Sequence, residues 1–342
     1  MKIAVLAPVW FPVPPTGYGG IEWVVSLLAD GLAEAGHDVT LFASGDSHTK
    51  AKLAYVYEIA PSEEIGRAQV EVRHALACFE RAGEFEVIND HSGPPAAVIA
   101  GAVATPCLHT VHGPLLGEPG DLYEQVARVA PRTGLISISM NQRLPHEGLP
   151  WVANIPNALD FSVYPVHPHR GDYVLFLGRL NPDKGAHRAV ALAVEHDLPL
   201  KIAGKKREPA EERYFHELIE PHLRPGQIEY LGEVTHGEKV ELLQNARATL
   251  FPIDWEEPFG LVMIESMACG TPVIATRRGS VPEVIEHGRS GIVVDDYRDM
   301  AAALEQADAL DPLELRRAAE ERFSKERMVA DYVAAFETRI RA

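Results

Sequence analysis

Two tandem α/β domains, each a doubly wound parallel sheet, are what this 342-residue sequence predicts. Short apolar runs of strand length alternate along the chain with stretches of helical period, the pattern left by βαβ units. The alternation breaks at 165–171, where Pro165, Pro168 and Gly171 interrupt it, and then restarts. The length, finally, is generous for one core and comfortable for two domains of ordinary size.

The first strand is expected at 2–7. Ile21, Val24, Val25, Leu28 and Leu32 then mark one face of a helix that Gly36 ends. Further strands are expected at 39–43, 87–89, 107–111, 135–138 and 152–155, which completes a first domain over 1–165. After the break, strands are expected at 173–177, 200–203, 228–231, 249–252, 272–275 and 292–294, giving a second domain over 166–324. Two helix starts are legible there. Thr235 with Glu238 forms a capping box, and Asp311-Pro312 sets a capping residue before a proline at the first helical position. Two such sheets imply domains facing each other across a cleft, with ligands held outside the carboxyl ends of the strands.

Composition removes several function classes. A net charge of −17 argues against nucleic-acid binding, which needs a basic face to neutralise phosphates. Anionic membrane docking needs clustered Lys/Arg, and over 51–90 seven glutamates face only four basic residues, so no strong membrane signal is read. Cys78, Cys107 and Cys269 are scattered with no C-x-x-C pair, and are expected as buried apolar residues in a reducing compartment. The apolar start is broken by Pro8, Pro12, Pro14 and Pro15, far short of the roughly 20 residues that span a bilayer. The expected location is the cytoplasm.

Four constellations carry chemistry. Between the first strand and its helix lies Gly17-Tyr18-Gly19-Gly20-Ile21-Glu22. Glycines let backbone approach a ligand, and the following helix N-terminus favours an anion. A dinucleotide fingerprint would need a third glycine where Glu22 stands, so a nicotinamide enzyme is disfavoured; a plain turn is the bland alternative. Straight after the first strand of the second domain comes Gly178-Arg179 and then Lys184-Gly185. Two cations five residues apart at a strand's carboxyl end suit a diphosphate, Arg as a planar fork and Lys as a point charge. Singly, each would be an ordinary surface charge.

The most specific segment runs from Glu257 through Phe259, Gly260, Leu261 and Val262 to Glu265, then on to Gly270 and Pro272. Gly260 should open a short helix whose first N–H groups are available to phosphate oxygens. Carboxylates eight apart would span about 12 Å along a helix, the length of a diphosphate with a sugar at each end. His109-Thr-Val-His112 closes the set. Its spacing suggests a metal, but residues three apart on a strand point to opposite faces, so no metal is assigned. With 15 histidines in the chain, a single one carries little weight.

Taken together and in this order, these motifs resemble the retaining GT-B enzymes of glycosyltransferase family 4, a fold of two Rossmann-like domains. The carrying residues are Gly19, Gly20 and Glu22; Gly178, Arg179, Lys184 and Gly185; and Glu257 through Val273. The resemblance implies that Arg179 and Lys184 hold the donor diphosphate, that Glu257 meets the transferred hexose and that Glu265 meets the ribose. It also implies that Phe259, Gly260, Leu261 and Val262 bind through main-chain groups. His112 would lie beside the sugar, and the Gly232-Glu233-Val234 loop would line the base. The helix over 325–342 would return to the first domain. Three positions depart from the family pattern: Ala158 in Asn157-Ala158-Leu159-Asp160, Pro258 after the first Glu, and Ser266 after the second. None removes a charged ligand, so they bear on substrate detail.

The expected activity is therefore hexosyl transfer with retention, from a nucleotide-diphosphate sugar to a small-molecule or oligosaccharide acceptor. Glu257, Arg179, Lys184 and His112 would form the catalytic group. UDP is taken ahead of other nucleotides, no cofactor is expected, and the lack of any D-x-D sequence argues for metal independence. A secondary-metabolite enzyme of the orthosomycin (avilamycin-type) antibiotic class is the suggested setting, although no motif carries it. Two other classes share these motifs: a nucleotide-sugar epimerase, which would turn over donor without acceptor, and a non-catalytic nucleotide-sugar-binding protein.

Overall fold

The computed structural model describes residues 1–17 and 19–341. Tyr18 of the glycine loop and Ala342 at the end of the expected last helix lie outside the described residues. The chain divides into two compact units, Met1–Ala158 with Lys325–Ala342, and Leu159–Ser324.

The first unit is built on seven parallel strands: β1 (Lys2–Leu6), β2 (Asp38–Phe42), β3 (Lys52–Ala54), β4 (Val87–Asp90), β5 (Cys107–Thr110), β6 (Thr133–Ser137) and β7 (Trp151–Asn154), in the order β3-β2-β1-β4-β5-β6-β7. Near-continuous apolar runs such as Ile3–Leu6, buried on both faces, are what a helix-covered parallel sheet requires. The short edge strand β3 was not expected; three residues with no fully buried side chain leave no periodicity to read. Helix Gly20–Glu34 buries Val24, Val25, Leu28 and Leu32, and Gly36 follows its end at φ 88°. Against it lies the chain's last helix, Lys325–Arg341, with Val329 at Gly31 and Lys325 Nζ 3.0 Å from Glu34. Tyr332 and Phe336 of that helix are fully buried in this unit.

The second unit has six parallel strands: β8 (Tyr173–Leu177), β9 (Leu200–Ala203), β10 (Ile228–Tyr230), β11 (Ala246–Phe251), β12 (Val273–Thr276) and β13 (Gly291–Val294), ordered β10-β9-β8-β11-β12-β13. Phe176, Leu192, Ile202, Leu250 and Ile274 lie at the centre of its core. Thr235 caps helix His236–Gln244 with Glu238 closing the box, and Asp311 caps helix Pro312–Phe323 by accepting from Leu313 N.

The boundary between units differs from the expected one. Residues 159–165 belong to the second unit because Leu159 N donates to Phe323 O (2.9 Å) and Arg316 donates to the carbonyls of Phe161 and Tyr164. The proline-rich stretch that reads as a linker thus follows a segment already anchored by one half-buried guanidinium. All three cysteines are buried and unpaired, and burial pushes the Cys269 thiol up to about 12. Among the described residues, no helix is long and apolar enough to cross a membrane.

Candidate functional site

In each sheet the strand order reverses direction once, between β1 and β4 in the first unit and between β8 and β11 in the second. Open parallel sheets bind ligands at the carboxyl ends of the strands flanking such a reversal. The loops that leave these strands carry nearly all the residues singled out from the sequence.

In the second unit, Arg179 and Lys184 follow β8, and Glu257 follows β11. Several close approaches weld the two loops together. A Cβ at Gly185 (φ 79°) would overlap the Pro252 carbonyl, Asp254 N donates to Asp183 O (3.0 Å), and Arg188 donates to Pro252 O (2.9 Å). Glycine after Lys184 is therefore a packing requirement, and it sets Lys184 against Glu257. Lys184 Nζ donates to Glu257 Oε2, which also accepts from Trp255 Nε1 at 2.9 Å. The ammonium stands 4.8 Å from the centre of the Trp255 ring, a cation–π distance. Glu257 is buried, and its backbone is clamped from β12's loop: Ser280 N donates to its carbonyl (2.9 Å), and Gly279 passes so close that a side chain there would overlap Glu257.

Helix Leu261–Ala268 starts at Gly260 (φ 78°), and the first N–H bonded within the turn is that of Met263, to Gly260 O. The amides of Leu261 and Val262 thus form the helix's N-terminal end, where an anion is favoured. Phe259 is buried and its carbonyl is held by Ser280 Oγ at 2.8 Å. Glu257 lies ahead of the cap, so the eight-residue spacing does not measure a helical rise; that expectation is corrected. Glu265 does sit on the helix, buried, with Oε1 accepting from Lys239 Nζ (2.5 Å) and from the Tyr164 hydroxyl (3.0 Å). The two carboxylates repeat one arrangement: a lysine and an aromatic donor converge on one oxygen, Oε2 of Glu257 and Oε1 of Glu265. Val234 is half-buried just before the Thr235 cap.

Arg179 is not set against Lys184's partner. Its Nε lies 3.5 Å from Oε1 of Glu211, a buried residue whose Oε2 accepts from the amides of Arg207 and Glu208. Both expected phosphate-binding cations are therefore carboxylate-paired. Lys205, which no motif marked, follows β9 near them: burial, and then the positive Arg179, lower its pKa. Gly204 before it must be glycine, since a Cβ would overlap the Gly178 carbonyl.

In the first unit, Gly19 caps helix Gly20–Glu34 and Glu22 is buried in its first turn, its carboxylate 2.9 Å from where a Cβ on Gly19 would stand. The two histidines after and within β5 part company. His109 Nδ1 donates to buried Asp90 at 2.5 Å and its Nε2 lies 2.7 Å from the Tyr123 hydroxyl, while His112 Nε2 lies 2.9 Å from His91 Nδ1. Burial lowers the His112 pKa to about 3, with His109 adding to the effect. The His112 loop is pinned from both sides by Gln142, whose Nε2 donates to Val111 O (2.9 Å) and Gly113 O (2.7 Å). Trp255, Tyr164, Lys239, Glu211, Lys205, His91 and Gln142 had no sequence signal, because none belongs to a recognisable short motif and the contacts of Tyr164, Lys239 and Gln142 come from segments distant in sequence.

Residues 18–162 match the family described as Glycosyltransferase Family 4, and residues 164–326 match Glycosyl transferases group 1. A glycogen synthase of Mycobacterium tuberculosis is 26% identical over 93% of this chain and 89% of its own length. A phosphatidyl-myo-inositol mannosyltransferase of Mycolicibacterium smegmatis is 28% identical over 89% and 84%. Among solved structures, AviGT4, a glycosyltransferase involved in avilamycin A biosynthesis, is similar with a TM-score of 0.74 and 26% identity, covering 100% of this chain and 98% of that one. Anabaena HepE in complex with UDP and glucose shares the fold, with a TM-score of 0.77 at 18% identity over 99% of this chain and 100% of that one. With a Glycosyltransferase Family 4 domain followed by a group 1 glycosyl transferase domain on two parallel sheets, the chain belongs to the glycosyltransferases of the GT-B fold.

Proposed function

We propose that this protein transfers a hexosyl group, with retention of configuration and without a metal, from a nucleotide-diphosphate sugar to a small-molecule or oligosaccharide acceptor. The observation that carries this reading is the Lys184–Glu257 pair at the β8/β11 reversal, beside the N-terminal end of helix Leu261–Ala268. An ammonium has three N–H donors, so Lys184 can keep Glu257 and still meet a phosphate oxygen. With Lys184 and Trp255 both on Oε2, Glu257 presents Oε1 to sugar hydroxyls. Glu265 presents Oε2 to the ribose in the same way. Arg179, Lys184 and the amides of Gly260, Leu261 and Val262 supply fixed positive potential where the departing diphosphate gains charge. The leaving phosphate oxygen takes the acceptor's proton on the face it departs from, and configuration is kept. Gly19, Gly20 and Glu22 belong to the acceptor side of the reaction, and Val234 to the base.

The nearness of AviGT4 supports an antibiotic-biosynthesis setting, and the UDP seen with HepE supports UDP as the nucleotide. The test is a melting-point panel with UDP-, GDP-, ADP- and dTDP-glucose, since a ligand that binds only the folded state raises the midpoint. A stabilising nucleotide sugar whose effect disappears in Lys184→Ala, followed by an α-linked product from that α-linked donor, is the expected result. A covalent glycosyl adduct on Glu257 would overturn the mechanism, and a new nucleotide sugar made without acceptor would replace transfer by epimerisation.

A further inference from the structure

At the carboxyl edge of the first sheet, side chains from β4 and from the loops after β4 and β5 form one hydrogen-bonded file whose direction can be worked out. It begins at Asn89, fully buried on β4. Asn89 Nδ2 lies 3.0 Å from the Leu108 carbonyl and 3.3 Å from Thr110 Oγ1. A backbone carbonyl has no proton to give, so Leu108 decides which end of the amide is the nitrogen. Asn89 Oδ1 is then the atom facing His91, 2.7 Å from Nε2. An amide oxygen can only accept, which puts the proton of His91 on Nε2.

A neutral imidazole carries one N–H, so His91 Nδ1 is a bare acceptor. Facing it at 2.9 Å is His112 Nε2, which must be the donor. The single proton of His112 is thereby fixed on Nε2, and its Nδ1 is left as a lone pair. Burial lowers the pKa of both rings, and the neighbouring His109 reinforces it, so neither gains a second proton near neutrality.

We infer that Asn89 and His91 are positioning residues that lock His112 in the Nε2–H form, so that its Nδ1 accepts the hydrogen of a sugar hydroxyl. The lock follows from the file itself; the sugar as its ligand rests on the proposed glycosyl transfer. A ring held this way is an acceptor only. It takes a hydroxyl but gains nothing from a fluorine or an ether oxygen at the same position, which gives the site a chemical preference that a freely tautomerising histidine would lack.

Long-range proton–nitrogen spectra of imidazole-labelled full-length protein at neutral pH test the lock without any ligand. The expected result is a protonated Nε2 and a bare Nδ1 on His112. His91→Phe should convert this to a mixture of tautomers. His91→Gln should restore the Nε2–H form, because its amide can donate to Asn89 and accept from His112. A His112 protonated on Nδ1 in the parent, or one left unchanged by His91→Phe, overturns the inference. Addition of UDP-, GDP-, ADP- and dTDP-glucose in turn then tests the ligand. With whichever donor raises the melting point, the Nδ1 resonance should shift, and kcat/KM should fall about tenfold in His91→Phe and recover in His91→Gln, the size of one hydrogen bond. A binding donor that leaves Nδ1 unmoved overturns the hydroxyl contact. Binding by none of the four sinks the transferase reading and with it the contact, while the tautomer result stands by itself.

Discussion

The polar edges of the two units solve different problems. In the second unit the buried carboxylates Glu211, Glu257 and Glu265 each face a cation, Arg179, Lys184 and Lys239. In the first unit the corresponding edge keeps one buried carboxylate, Asp90, against His109, but beside it runs a file of neutral donors and acceptors through Asn89, His91, His112, Thr110 and Tyr332. Paired charges can be shared with an incoming anion, whereas a neutral file distinguishes hydroxyl orientations. The contrast teaches that charge and hydrogen-bond polarity can be separated between two copies of one architecture, each at a strand-order reversal.

The sharpest way to break the comparison is Lys184→Ala. If the second unit's edge binds the leaving diphosphate, kcat/KM should drop about 10²–10³-fold, the cost of removing one preorganised electrostatic donor. Steady-state rates with the donor found by melting-point shift would show it, and a loss under threefold would place the charge work elsewhere. Next in size is Glu265→Leu, which strands Lys239 at a largely buried position. Urea unfolding should show a loss of about 3 kcal/mol, largely regained in Lys239→Met/Glu265→Leu. Equal stability of the single and double variants would mean the pair is not coupled.

The first unit should instead respond to acid. His74, His91 and His112 have pKa values lowered by burial, His74 to about 4. Below about pH 6.5 the unfolded chain binds protons that the folded chain refuses, so stability falls with falling pH until the folded values are reached. For His74 alone the loss from pH 6.5 to 5.5 is about 1 kcal/mol. Denaturant midpoints at the two pH values should therefore converge in His74→Gln, which can still donate to the Ala7 carbonyl that His74 meets at 3.1 Å. An unchanged gap would show that His74 titrates alike in the folded and unfolded chains. The smallest effects concern helix starts in the second unit: Thr235→Ala and Asp311→Ala should each cost about 1 kcal/mol in melting experiments, and no loss would mean the caps are redundant.

Much of this was legible beforehand. Among the described residues, twelve of the thirteen strands fall where apolar runs lie, and Thr235, Glu238 and Asp311 cap as their types suggest. Lys184, Glu257 and Glu265 announce themselves through short motifs with glycine neighbours. Trp255 and Tyr164 do not, because an aromatic donor aimed at a carboxylate looks in sequence like any core residue. Nor does Gln142, whose amide spans from one loop to the carbonyls of Val111 and Gly113.

Local chemistry along the chain determined where strands and helices begin and end, and which residue types stand at the strands' carboxyl ends. Burial periodicity and capping act over a few residues, so they survive in one dimension. The tertiary structure decided which of those ends are neighbours. β8 pairs with β11 across two intervening strands, and that parallel pairing, with Gly185 pressed to the Pro252 carbonyl, is what brings Lys184 to Glu257. The cations' choice of carboxylate partners, and the direction of the histidine file, depend on side chains packing from segments far apart in sequence, which no spacing rule records.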